Sequence, residues 1–275
     1  MSDMDFVEIA RVVERKQATS LMGLAQEHAP LADGWMIFGG PGSYVNKACG
    51  FGLERPLTDA ELDGLVAFFV QRGVEPKAEL GAFTPPALLA GLASRGFVLK
   101  EFENVLARPL SPSDEPRALL PQGWPSDVIV ERVDPTDEAA LREFVTVAAS
   151  GFLPEGEPMP DVFMEAGLKG ARLPTYDSYV ARVDGAVVGA GGCESSAGST
   201  GLFGTSVKPA YRRRGVQQAL IAARLERGRE KGSRLAFIIS GPGIPTERNA
   251  ARLGFGMAYT RAVLVKQGEG LIPSP

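Results

Sequence analysis

Two cysteines and one histidine are all that 275 residues offer for thiol or imidazole chemistry. Cys49 and Cys193 stand far apart, each in a strand-like segment, so neither a disulfide framework nor a cysteine metal site is indicated. Both read as small buried residues. A nucleophilic triad or a histidine-rich metal centre cannot be assembled around His28 alone, which reads as part of a polar helix end at 26–30. No metal is expected. No apolar run nears the roughly 18 residues that cross a bilayer, and residues 1–5 are acidic where a secretion signal would be basic. A cytoplasmic protein without membrane contact is therefore expected. Basic excess is missing too: 29 Lys and Arg face 33 Asp and Glu, a net charge of -4, which argues against a nucleic-acid partner. The long glycine loop ending in Lys and Ser or Thr that cradles ATP or GTP is also absent.

What is present is an ordinary globular composition, 44% hydrophobic and 23% charged, long enough for one large or two ordinary domains. Turn formers and helix breakers crowd 111–116 and 121–125, which predicts a linker at 111–126 between domains at 1–110 and 127–275. The tail, 268–275, is expected to be loosely held. A shift of 158 residues overlays Ala93, Gly96, Phe97, Val105 and Leu106 on Ala251, Gly254, Phe255, Val263 and Leu264, with Arg108 falling on Lys266. These matches suggest a duplicated unit, although a helix, a glycine stop and a strand is also a common arrangement.

In the first half, Thr58-Asp59-Ala60-Glu61 is a capping box, with Leu57 and Leu62 placed as a hydrophobic staple and Gly73 after the helix. Thr84 and Pro85 open another helix. Strands are predicted at 35–38, 44–53, 77–83 and 97–106. Gly39-Gly40-Pro41-Gly42 lies between two strands with no helix following, so it reads as a hairpin loop.

The second half reads as a mixed α/β sheet. Asp184-Gly185 tolerates the positive φ angles of a tight hairpin between strands at 179–183 and 186–191. A third strand spans 199–207, and a helix begins near Val216 and stops at Gly232. A buried strand at 235–239 follows, parallel to the third because a helix joins them. A short helix ending at Leu253 and a strand to about Val265 complete the order. Between the third strand and its helix lies Val207-Lys208-Pro209-Ala210-Tyr211-Arg212-Arg213-Arg214-Gly215-Val216-Gln217-Gln218. A helix start leaves its first N–H groups unpaired and carries partial positive charge, so this corner can hold a pyrophosphate. Clustered arginines at a helix N-terminus cost a few tenths to about 1 kcal/mol each, which favours a bound anion over a merely solvated charge run.

Arg212, Gly215 and Gln217 fall on the defined positions of Arg or Gln, x, x, Gly, x, Gly or Ala. The corner thereby resembles the acetyl-CoA signature of the GNAT N-acetyltransferases, with Gln217 departing from it. The order of elements over 127–268 is similar to the GNAT fold as well. The resemblance implies two GNAT-like domains in tandem. The first has no arginine and glycine signature at its corner, 52–58, and Glu54 and Asp59 would repel a pyrophosphate, so this half is expected not to bind CoA and to buttress the second half or shape its substrate cleft. It implies acetyl-CoA as co-substrate, with Thr205, Ser206 and Val207 along the pantetheine arm. It further implies residues 212–218 around the diphosphate, Ser240 across the gap, and a contact from Asn249 at the start of the last helix, where a structural cap is the alternative.

The family tyrosine that protonates the thiolate falls here on Ala250. Tyr259 is the candidate replacement acid, or else a core residue. Glu194, expected in a loop, is the candidate base, or else a solvated glutamate. The acceptor is expected to be a primary amine of a small molecule or peptide, and Glu155, Glu157, Asp161 and Glu165 could attract a cationic one. A non-catalytic sensor of CoA remains the alternative.

Overall fold

The computed structural model describes residues 5–154, 157–273 and 275; the acidic start at 1–4 and Glu155 lie outside the described residues. In chain order the first elements are α1 (Phe6–Met22), β1 (Glu27–Leu31), β2 (Gly34–Phe38), β3 (Lys47–Cys49), α2 (Asp59–Val70), β4 (Lys77–Leu80), α3 (Pro86–Ala93) and β5 (Val98–Pro109). Then come β6 (Ile129–Arg132), α4 (Glu138–Ala149), α5 (Asp161–Ala171), β7 (Tyr176–Val183), β8 (Ala186–Ser196), β9 (Ser199–Val207), α6 (Val216–Glu230), β10 (Leu235–Ser240), α7 (Pro245–Arg252) and β11 (Gly256–Val265). Two compact units result, residues 106–257 and residues 2–105 with 258–275.

The division falls within β5 and β11, not in the proline-rich segment at 111–126. That segment is docked on the C-terminal unit: Pro116 and Leu120 are buried, and Arg117 Nε donates to Glu226 Oε1 at 2.9 Å. Most of β11, expected in the C-terminal domain, instead joins the N-terminal unit, where Ala262–Val265 pair antiparallel with β4.

In the N-terminal unit the strand order is β1-β2-β3-β4-β11-β5. Asp5 caps α1 by accepting the Glu8 N–H, and the capping box at Thr58 starts α2 with both of its reciprocal bonds made. Apolar faces of α2 and α3, including Leu62, Leu65, Phe69, Leu88 and Leu92, cover the sheet. His28 lies on β1, not in a helix end, and its ring meets Trp35 edge-on at 5.2 Å. The tail is not loose. Ile272 donates its N–H to Gly73 C=O at 2.8 Å and accepts from Glu75 N–H at 3.0 Å, so a backbone ladder holds it.

In the C-terminal unit the order is β6-β7-β8-β9-β10 followed by the end of β5. The hairpin turn at Asp184 and Gly185 has φ of 50° and 81°, the left-handed pair that suits the twist of its strands. Neighbours β7, β8 and β9 are antiparallel, while β10 runs parallel to β9. Side chains alternate across a strand. Gly189 and Gly191 of β8 accordingly face α6 side chains, while Ala190 joins the core built from α4 and α5.

Candidate functional site

Strand β9 pairs with β10 only from Ser199↔Leu235 to Leu202↔Ile238. Beyond that register β9 runs on to Val207 and β10 to Ser240, so the two parallel strands part. The cause is local. Facing β8, the register jumps from Gly192↔Phe203 to Ala190↔Ser206, and Gly204 sits at φ 55°. One extra residue in β9 is a bulge, which bends the strand and adds twist. Phe203, Gly204 and Thr205 are half-buried where the strands part.

The bent strand delivers the chain to the arginine corner. Arg212 N–H still bonds Pro209 C=O at 3.3 Å, and the next turn bond is Ala219 N–H to Gly215 C=O at 2.9 Å. Between them the amides of residues 213–218 have no backbone acceptor among the described residues. Gly215 is the N-cap of α6 at φ 76°, with no side-chain cap. A Cβ at this position would come within 2.9 Å of Pro125 Cγ. Arg213 is left-handed as well, at φ 63°, a conformation that costs a non-glycine residue of order 1–3 kcal/mol and persists only where the surrounding structure over-determines it. Successive amides in such geometry form an anion-binding concavity.

Side chains at the corner leave those amides open. Arg214 pairs with Asp127 and lies over the Tyr211 ring at 5.3 Å, and Arg212 Nε donates to Val207 C=O at 3.2 Å. Val216 is buried. Gln217, the departure from the family pattern, turns toward α7: its Nε2 donates to Thr246 Oγ1 at 3.1 Å and its Oε1 accepts from Asn249 Nδ2 at 2.5 Å. Gln218 Nε2 donates to Asn249 Oδ1 at 3.0 Å. Asn249 therefore lies inside α7, not at its start, and its amide locks α6 to α7.

Other expected residues are placed as follows. Ser206 is buried with its hydroxyl spent on α4: it donates to Ala148 C=O at 2.7 Å and accepts from Gly151 N–H at 3.1 Å. Thr205 and Val207 are half-buried. Ser240 ends β10, its hydroxyl 3.3 Å from Gly241 C=O. Glu194 is no loop residue: it lies within β8, paired across to Tyr176 and Gly201, and is 5% exposed. Tyr259 belongs to the core of the N-terminal unit, where its hydroxyl donates to Glu14 Oε1 at 2.7 Å. Burial and the Glu14 carboxylate push its pKa far above the usual phenol range. Of the two alternatives for Tyr259 the structure shows the core residue, and Glu194 lies neither in a loop nor in solvent. Ala250, at the family tyrosine's place, is fully buried. Asp161 and Glu165 lie on α5, while Glu157 precedes it. Among the described residues no group of three His, Cys, Asp or Glu could hold a metal ion, and no helix is long and apolar enough to cross a membrane.

Sequence reading missed Arg224, which is fully buried on α6. The signal was Gly189-Ala190-Gly191-Gly192, four small residues in one strand, which mark a close approach from outside it.

The corresponding corner of the N-terminal unit is shut. Asp33 accepts the N–H groups of Gly52 at 2.7 Å, Leu53 at 2.8 Å and Glu54 at 2.9 Å. At the start of α2, Glu61 Oε2 accepts the Thr58 N–H at 2.8 Å, backed by Arg55. Two of the protein's own carboxylates thus occupy amides of the kind that the second corner leaves open.

Residues 141–255 match the model of the acetyltransferase (GNAT) family. Among solved structures, a GCN5-related N-acetyltransferase from Kribbella flavida superposes with a TM-score of 0.67 at 20% identity, covering 94% of this chain and 96% of that one. A putative GNAT-family acetyltransferase from Novosphingobium aromaticivorans gives 0.54 at 15% identity, covering 94% and 99%. A tandem GNAT protein from the clavulanic acid biosynthesis pathway gives 0.54 at 18%, covering 78% and 69%. At these identities the likeness is one of fold. No curated protein matches the chain.

Proposed function

With residues 141–255 a domain of the GNAT acetyltransferase family, we propose that this protein moves an acetyl group from acetyl-CoA to a primary amine. The parting of β9 from β10 beyond Leu202↔Ile238, ending on the uncapped start of α6, carries this reading. The diphosphate would rest on the amides of Arg213, Arg214, Gly215, Val216, Gln217 and Gln218, with Arg212 and Arg214 able to turn onto its oxygens. Each charge-assisted hydrogen bond there contributes about 1.5–3 kcal/mol. The pantetheine arm would lie along the backbone of Thr205, Ser206 and Val207, with Ser240 opposite. The amine nitrogen attacks the thioester carbonyl, and a splayed-strand amide can donate to the tetrahedral oxyanion. The carbon–sulfur bond then breaks; the amine's proton goes to a base and the CoA thiolate takes one up. The acceptor is a small-molecule or peptide amine. The N-terminal unit, its corner filled by Asp33 and Glu61, binds no CoA.

One observation favours a second reading. Ala250 supplies no acid at the place where the family resemblance implies a tyrosine, as a CoA sensor without turnover would allow. Release of free thiol from acetyl-CoA across a panel of amines separates the two. Amine-dependent release supports the transferase, and saturable acetyl-CoA binding with no release for any acceptor supports the sensor.

A further inference from the structure

We propose that Arg224 is a positioning residue that holds the β9 bulge open and so fixes the wall of the acetyl-CoA slot. The inference rests on the acetyl-CoA reading of that slot. Arg224 has no exposed surface. Its Nε donates to Leu220 C=O of its own helix at 2.9 Å, while Nη1 reaches Gly192 C=O at 2.9 Å and Phe203 C=O at 3.3 Å. Gly192 and Phe203 face each other in the last regular register before the bulge. One residue earlier, at Leu202↔Ile238, β9 makes its last pairing with β10. A single guanidinium therefore grips both strands at the point where one of them turns away.

Its surroundings are built to admit it. A Cβ on Gly191 would fall 2.9 Å from Arg224 Cζ, and one on Gly192, pointing to the opposite face, would fall 1.8 Å from the Tyr176 hydroxyl oxygen. The β8 backbone is thus pinned from both faces at this site.

Packing alone does not explain an arginine here. No carboxylate pairs with it among the described residues, and burial lowers its pKa to about 10. Its Nη2 is buried with no acceptor among the described residues. A buried charge without a partner ion costs several kcal/mol, and an apolar residue of similar volume is often equal or better for stability. What an apolar residue lacks is donors for the Gly192 and Phe203 carbonyls at the edge of the bulge. Without them the local minimum is a straightened β9, which closes on β10 and moves the Thr205–Val207 backbone.

The test compares wild type, Arg224→Met and Arg224→Lys by calorimetric titration with CoA, together with amide hydrogen exchange across β8 and β9. In Arg224→Met the Kd for CoA is expected to rise roughly ten- to a hundredfold, the scale of a misplacement of about 1 Å. Arg224→Lys, which keeps a donor, is expected to lose less. Exchange should quicken at 203–207 with that at β7 unchanged. Wild-type CoA affinity in a folded Arg224→Met would overturn the inference while leaving the acetyl-CoA reading intact. Absence of CoA binding by wild type would overturn that reading, and this inference with it. If the methionine variant does not fold, the lysine variant decides: unchanged Kd and unchanged exchange at 203–207 contradict a positioning role.

Discussion

Lys266 Nζ donates to the carbonyl of Arg95 at 2.7 Å, and Arg108, which lies 158 positions before Lys266, donates from Nη1 to the carbonyl of Leu253 at the same distance. Leu253 in turn stands 158 positions after Arg95. The sequence shift that overlays 93–108 on 251–266 therefore also relates two contacts, each linking the cation of one repeat to the helix-end carbonyl of the other. The following glycines agree: Gly96 and Gly254 both sit at φ 83°. A duplicated unit would account for a reciprocal pair of this kind.

Both cations hold helix-end carbonyls. Replacing Arg108 or Lys266 by Met leaves a helix-end carbonyl without its charged donor, a loss of about 1.5–3 kcal/mol. Urea denaturation should show both variants destabilised, Arg108→Met more so, because Arg108 also pairs with Asp114. Wild-type midpoints would remove the structural role.

Gly215→Ala should lose acetyl-CoA stabilisation. Alanine at φ 76° costs roughly 1–2 kcal/mol, and its methyl would meet Pro125, so the start of α6 must shift. Thermal melts with and without acetyl-CoA check this, with a small loss of Tm and a large loss of the ligand-induced shift expected.

Asp33→Ala should destabilise by about 1–3 kcal/mol, because three amides of the N-terminal corner lose their acceptor. Acetyl-CoA should still bind once per chain in this variant, as titration calorimetry would read. A second site in wild type would contradict a closed corner.

Much of the second half was legible. Glycine at 215, the Asp184-Gly185 turn and the parallel relation of β9 and β10 follow from local backbone rules. The misreadings share a non-local cause. Nothing near Tyr259 says that β11 pairs with β4 and puts its hydroxyl on Glu14. Nothing near Ile272 announces its ladder to Gly73 and Glu75. The strand expected over 186–191 stops short of Glu194, whereas ladders from both β7 and β9 carry β8 on to Ser196. Arg224 was silent because its function resides in carbonyls of two other strands.

Glu79 in the N-terminal core should make the fold acid-sensitive. Burial opposes its charge, but Arg261 and Lys47 prevail and hold its pKa down at about 2; Glu14 and Glu103 complete the cluster. A depressed folded-state pKa means that the unfolded chain binds the extra proton. The contribution is therefore full above about pH 4.5 and is lost as pH falls toward 2. Glu79→Gln should cost about 1–3 kcal/mol at pH 7, since Lys47 and Arg261 each lose a carboxylate while Arg261 keeps Glu14 and Glu103. The difference from wild type should shrink on acidification, as urea melts at several pH values would show.

The central claim is that the α6 corner holds the diphosphate of acetyl-CoA, and thermal stabilisation by acetyl-CoA tests it most directly. At a hundred times its dissociation constant a ligand adds about 2.7 kcal/mol. Wild type should melt several degrees higher with acetyl-CoA, and the Arg212→Ala, Arg214→Ala double variant should show little of that gain. No shift in wild type, or an equal shift in the double variant, would contradict the account.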